Sequence, residues 1–235
     1  MEAAAAGVGS LREQFMTDAV VTGIEGRDIK TMADVMAQDQ ILELLNSSGI
    51  PVIAEEGDHQ TIRPDSLVWI VDPLDGTLNF SRRFPIAAVS IALWQNGIPL
   101  LGVIHDVFSD QVYSGQVGKG AWLNFRQIQV SKTELIKQAV LATGFPSGHS
   151  HETESLMQFV QTVQRYKKIR MLGSAAMMLA QVAAGRFDAY EEDDIYLWDV
   201  AAGLAIVKAA GGVFSMEPGS GPYKYRVRAS NGRLQ

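Results

Sequence analysis

Carboxylates at the ends of apolar runs are the residues of this chain whose type and spacing could do chemistry. The densest group is Trp69-Ile70-Val71-Asp72-Pro73-Leu74-Asp75-Gly76-Thr77-Leu78-Asn79-Phe80. Its strand-like apolar start delivers Asp72 at a carboxyl end, the place where α/β folds gather their ligands. Pro73 stiffens the turn and lets Asp72 and Asp75 face one space, and Gly76 admits a bound group close to the backbone. Thr77 is placed to open a short helix, whose free N–H groups favour a phosphate. Taken alone, the segment also reads as a plain strand–turn–helix with Asp75 as a cap.

Further acids shift that balance. Glu55 and Glu56 directly follow the apolar run Pro51-Val52-Ile53-Ala54, where two adjacent acids repel unless a cation lies nearby or one faces solvent. Asp199 precedes Val200-Ala201-Ala202-Gly203, an almost wholly apolar helix that it could simply cap. Asp34 sits on an earlier helix and by itself would be a solvated residue. Together these acids suit a hard divalent ion such as Mg²⁺ or Mn²⁺, which takes carboxylates, waters and substrate phosphate. Zinc fits less well. The four histidines (His59, His105, His149, His151) have no metal-binding spacing, and His149 and His151 fall in a Gly/Ser-rich loop expected to face solvent.

With 235 residues, 47% hydrophobic and 20% charged, the chain can bury a sizeable core as one large domain or two closely joined ones. It has 20 basic and 26 acidic residues, so an anionic substrate must be handled locally and a broad nucleic-acid footprint is not expected. The absence of cysteine excludes disulfides, thiolate metal sites and cysteine-nucleophile mechanisms, and fits a cytoplasmic protein. The first residues, Met1 to Gly7, lack the basic start and long apolar stretch of a signal peptide. From Phe84 to Ile104 no charge occurs, about the length of a membrane span. Asn96-Gly97 in its middle, with Pro85 and Pro99, makes it a β-hairpin instead, and no membrane partner is expected.

These residues need elements to position them. Helices are expected from Ala3 to about Val20 and from an N-cap at Thr31 through Leu45, with strands at 51–54 and 67–71. A β-rich stretch follows from Ile86 to about Val130, with turns at Asn96-Gly97, Ser109-Asp110 and 118–120. The second half alternates: strands at 139–142, 169–171, 187–190 and 213–215, helices at 154–165, 174–184 and 199–210. Antiparallel hairpins followed by alternating strands and helices predict an α/β (α+β) fold of layered sheets and helices, in two lobes of about 1–135 and 136–235.

Asp72-Pro-Leu-Asp-Gly-Thr-Leu-Asn-Phe80 and Trp198-Asp-Val-Ala-Ala-Gly203 resemble the two signatures of the inositol monophosphatase family. Ala142-Thr-Gly-Phe-Pro146, Gly173-Ser-Ala-Ala176 and Val182-Ala-Ala-Gly-Arg-Phe-Asp188 are similar to that family too, so the resemblance spans nearly the whole chain, 1–235. It implies the αβαβα sandwich of lithium-sensitive sugar phosphatases, with two or three Mg²⁺ ions and a homodimer. Carried over to this sequence, it makes Glu55, Asp72, Asp75, Asp199 and the carbonyl of Leu74 metal ligands. Thr77 would orient or deprotonate the attacking water with Asp34 as its partner, while the amides of Gly76 and Thr77 hold phosphate. Glu192 would bind a substrate hydroxyl, with Gly173, Ser174 and Ala175 lining the same pocket. Lys30 and Ala54 depart from the usual pattern, but neither removes a ligand.

The implied reaction is hydrolysis of inositol monophosphate, or a similar polyol or sugar phosphate, by in-line attack of a metal-activated water. A haloacid-dehalogenase-type phosphatase is excluded, because Pro73 stands where its nucleophilic aspartate belongs. Within the superfamily, a 3′-phosphoadenosine 5′-phosphate (3′(2′),5′-bisphosphate) nucleotidase and a fructose-1,6-bisphosphatase are the alternatives. Outside it stands a non-catalytic partner-binding protein, whose mark would be a missing ligand acid, and none is missing.

Overall fold

The computed structural model describes residues 1–16, 21–25, 28–57, 66–145 and 153–235, and for 21–25 and 28–30 the backbone alone. Helix α1 (Glu2–Phe15), the hairpin β1 (Val21–Glu25) and β2 (Asp28–Thr31), and helix α2 (Met32–Asn46) come first. Then follow β3 (Val52–Ala54), β4 (Leu67–Asp75) and the short α3 (Thr77–Ser81). A meander of β5 (Ala88–Gln95), β6 (Ile98–Asp106), β7 (Val112–Gln116), β8 (Gly120–Leu123) and β9 (Arg126–Ile128) completes a sheet of order β3-β4-β5-β6-β7-β8-β9. The second half gives β10 (Val140–Thr143), α4 (Thr153–Gln164), β11 (Lys168–Arg170), α5 (Ala175–Ala183), β12 (Ala189–Tyr196), α6 (Leu197–Ala209), β13 (Val213–Pro218) and β14 (Lys224–Ser230). Its sheet has the order β11-β10-β12-β14-β13.

Alternation along the strands sorts the layers. On β4, Val68 and Ile70 pack into a core shared with α5, α6 and the second sheet, whereas Trp69 and Val71 face α1 and α2. Apolar on every side, α5 and α6 lie between the two sheets, as all-round hydrophobic helices must. Across the outer face of the second sheet, α4 buries none of its residues and lines a cavity against β12 and β14. The order is therefore α1/α2, sheet, α5/α6, sheet, α4. Asn96 and Gly97 both take positive φ, 53° and 73°, as a two-residue hairpin turn demands. The uncharged run is thus β5 and β6, and among the described residues no helix is long and apolar enough to cross a membrane.

Several boundaries differ from the sequence expectation. The first helix stops at Phe15 instead of reaching Val20 (residues 17–20 lie outside the described set), and a β1–β2 hairpin follows that no alternation announced. β4 continues past Asp72 to Asp75, β12 runs on through Glu191-Glu192-Asp193-Asp194, and β14 is an additional strand. Cross-strand pairing accounts for the last two: Arg226 meets Asp193 at 2.9 Å, Arg228 meets Glu191 at 3.4 Å and Lys224 meets Asp194 at 3.3 Å. Neither charged strand shows an apolar face until its partner is in place. His59, His149 and His151 lie outside the described residues.

Close packing of α6 depends on missing side chains. A Cβ on Gly203 would drive into Leu179 of α5, and one on Gly115 of β7 would stand 2.9 Å from Ile206 Cα. Gly203→Ala should lower stability by about 2 kcal/mol through overpacking. Gly9→Ala, at an exposed position of α1 with open space around it, should be neutral or stabilising by up to about 1 kcal/mol. The urea midpoint should fall for Gly203→Ala and hold or rise for Gly9→Ala, and equal falls would refute this packing account.

Candidate active site

In a regular strand, residues three apart point to opposite faces, so Asp72 and Asp75 could not share a site. The ladder between β4 and β5 resolves this. Asp72 pairs with Ser90 and Asp75 with Ala88, so one extra residue bulges on β4 and turns the second acid to the side of the first. Pro73, with no N–H to donate, lies inside the bulge. Asp72 Oδ1 accepts the Leu74 N–H at 2.9 Å. Asp75 crosses to the second half of the chain, where its carboxylate accepts the Ser174 hydroxyl, the Ala175 N–H at 3.2 Å and the Ala176 N–H at 2.8 Å. Those are the first donors of α5. Asp199 joins from the first turn of α6, and carboxylate oxygens of Asp72, Asp75 and Asp199 all lie within 4.8 Å of one another.

Glu55 opens the turn after β3, where its N–H donates to Val71 O at 3.1 Å, and its charge acts on both Asp72 and Asp199. Burial, then the neighbouring carboxylates, pushes Asp72 and Asp199 well above the usual carboxylate range. Burial raises Asp75 to about 6, although the Ser174 hydroxyl and the α5 amides oppose the shift. This donor set suits a hard divalent cation: largely buried, mutually repelling and, among the described residues, made of carboxylate oxygens with neither histidine nor sulfur.

Asp34 and Thr77 meet although 43 residues separate them. Thr77 Oγ1 stands 3.1 Å from Asp34 Oδ1 and 2.9 Å from the Leu74 carbonyl, its two acceptors. Asp34 Oδ2 accepts both the N–H and the hydroxyl of Thr31, each at 2.6 Å, at the start of α2. Burial raises Asp34, with these hydrogen bonds opposing. Gly76 has φ 93°, and a Cβ there would come 2.9 Å from Ile86 O and 3.3 Å from Gly173 O. The loop of Gly173 and Ser174 thus closes directly over the Asp72–Thr77 segment.

On the second sheet, Glu192 is buried and accepts the Tyr190 hydroxyl at 2.8 Å. Burial raises its carboxyl to about 7, with the charge of Asp75 adding to the rise. Gly144 leaves it room, since a Cβ there would stand 2.6 Å from Glu192 Oε1. Every site position expected from the sequence therefore falls around one centre, with Glu192 at its second-sheet edge. Sequence reasoning gave no structural role to two neighbours. Asn79 Nδ2 donates to Ile86 O at 3.0 Å and Leu172 O at 2.7 Å, fastening the Gly173 loop to the first half. Tyr190 lies two residues before Glu192 on one strand, so period-two alternation would have revealed it.

In the folded chain these carboxyls hold protons that the unfolded chain releases, so stability is present below the unfolded values and is lost as pH rises through about 6 and 7. Metal-free protein should melt roughly 5 °C lower near pH 7.5 than near pH 5, and millimolar Mg²⁺ should remove most of that difference. A melting temperature flat in both pH and Mg²⁺, measured by calorimetry, would contradict the cluster described.

Two sheets enclosing a helix pair, with carboxylates converging at strand ends and helix starts, define the layered sugar-phosphatase type of fold. The sequence profile of the inositol monophosphatase family matches residues 1–233. An inositol-1-monophosphatase of Synechocystis is 35% identical over 216 residues, covering 88% of this chain and 74% of that protein. Human inositol monophosphatase 1 is 36% identical over 218 residues, 85% of this chain and 78% of the human one. The crystal structure of the extragenic suppressor protein suhB from Bartonella henselae superposes with a TM-score of 0.87 at 33% identity, over 99% of this chain and 92% of that one. The chain belongs to the inositol monophosphatase family, whose members are phosphoric monoester hydrolases.

Proposed function

We propose that this protein is a Mg²⁺-dependent phosphomonoesterase acting on inositol monophosphate or a closely similar polyol or sugar phosphate. The observation that carries the reading is the meeting of the Asp72–Asp75–Asp199 cluster with the Thr77–Asp34 pair. Asp72, Asp75, Asp199, Glu55 and the Leu74 carbonyl would hold two or three ions, Mg²⁺ or alternatively Mn²⁺. Bound there, such ions would supply a water of lowered pKa and would neutralise charge on the attacking and leaving oxygens. Thr77 Oγ orients the attacking water and passes a proton toward Asp34, whose burial favours proton uptake and whose position Thr31 fixes. The amides of Gly76 and Thr77 bind phosphate, and Ser174 and Ala175 keep Asp75 facing the centre. Glu192, steadied by Tyr190, receives a hydroxyl of the leaving group.

Glu192, a buried carboxyl that accepts a hydroxyl and lies close enough to the centre to feel the charge of Asp75, favours a polyol over a second phosphate. A homodimer in the cytoplasm and sensitivity to lithium complete this reading.

Phosphate release from inositol 1-phosphate, 3′-phosphoadenosine 5′-phosphate and fructose 1,6-bisphosphate, each with Mg²⁺ and with chelator, tests it. Release should depend on Mg²⁺ and be fastest from inositol 1-phosphate. Preference for the nucleotide would overturn the substrate class, and no turnover by folded, Mg²⁺-binding protein would favour the partner-binding alternative. Asp72→Asn should cost roughly three orders of magnitude, the several kcal/mol that a bound metal would supply through this ligand. Thr77→Ala should lower turnover about a hundredfold with Mg²⁺ affinity unchanged. Weakened Mg²⁺ binding in the Thr77 variant would instead make that residue structural.

A further inference from the structure

The turn carrying Glu55 and Glu56 leaves the edge of the first sheet. β3 is three residues long and pairs with β4 on one side only, so the sheet braces residues 55–57 from one direction. Gln38 braces them from the other. Its Nε2 donates to the Glu56 carbonyl at 3.1 Å and its Oε1 accepts the Glu56 N–H at 3.1 Å. One side chain thus offers the reciprocal donor and acceptor that a residue of a neighbouring strand would offer. Gln38 is buried, and it follows Asp34 by one helical turn on the same face of α2. That face therefore grips the site twice, through Asp34 to Thr77 and through Gln38 to the acid turn.

We propose that Gln38 is a positioning residue for the metal site: its amide locks the Glu55-Glu56 turn to α2 and so presents Glu55 to Asp72 and Asp199. The inference rests on the reading of Glu55 as a metal ligand. A neutral amide alone meets both Glu56 peptide groups. A carboxylate at this position lacks the donor and adds a charge beside Asp34, Glu55 and Glu56, whereas an apolar side chain leaves both peptide groups without this partner.

Mn²⁺ binding by calorimetry, with melting temperature and steady-state kinetics on the full chain, tests it. Gln38→Leu should bind Mn²⁺ about tenfold more weakly, and the isosteric Gln38→Glu about threefold, the scale of supporting-residue effects at metal sites. At saturating metal, kcat should recover to within a few-fold and KM for substrate should stay constant. Gln40→Leu, exposed on the same helix, should match wild type. Should Gln38→Leu fail to fold, Gln38→Glu carries the test alone. Wild-type Mn²⁺ affinity in a folded Gln38 variant, with Glu55→Gln binding weakly, would overturn the assignment and leave Glu55 a ligand. Wild-type affinity in Glu55→Gln would remove Glu55 from the site, and the assignment with it.

Discussion

Repulsion among buried carboxylates is the constraint around which the rest of this structure is arranged. Oxygens of Asp72, Asp75 and Asp199 lie within 4.8 Å of one another, with the charge of Glu55 close enough to act on two of them. Two unit charges 4 Å apart repel by about 4 kcal/mol at an effective dielectric of 20. Two helix starts oppose this, and a third holds the neighbouring Asp34. Asp34 and Asp199 are the third residues of α2 and α6, and Asp75 takes the first donors of α5. Each such placement contributes about 0.3–1 kcal/mol, up to about 2 when partly buried. Three mutually close acids make three such pairs, about 10 kcal/mol together, which the helix starts at Asp75 and Asp199 do not match, so the balance is completed by protons, as the raised carboxyls indicate, or by a cation of high charge density.

That shortfall explains why the acids are held so firmly. A flexible carboxylate would swing out to water and relieve the repulsion, and each here is restrained by its backbone. Asp72 accepts the Leu74 N–H, Asp75 spans to α5, and Asp199 projects from the first turn of α6, whose apolar residues pack into the core. Asn79 adds a second tie between the halves through Leu172. The contact between the first sheet and α5 is thereby polar at the site and apolar elsewhere, and site geometry is inseparable from the seating of the second half on the first.

The sequence made some of this legible and hid the rest for physical reasons. The Asn96-Gly97 turn was readable because positive φ at two successive positions demands such residues, and α6 because it is apolar on every side. Asp72 and Asp75 were readable as a pair, but the turn expected at Pro73 is a bulge in a longer strand, and only pairing with β5 creates a bulge. β12 and β14 carry charges that make sense as strands only when set opposite one another. Thr77 and Asp34 are joined across 43 residues, a distance no local spacing reports; their pairing came from resemblance to a family. Gln38 carried no signal in the sequence, since its partner is a backbone peptide that any sequence would supply.

In the proposed mechanism Asp34 shows how folding and chemistry become one interaction. One of its oxygens is committed to Thr31 at the start of α2, which leaves the other for Thr77 and fixes the direction from which a proton can arrive. The first turn of α2 cannot fray without releasing that oxygen, so an intact helix start and a correctly aimed proton acceptor are the same state. An aspartate that served the proton alone would need separate restraints on its two side-chain torsions. Here the cap provides them, and helix formation pre-organises the acceptor before any substrate enters.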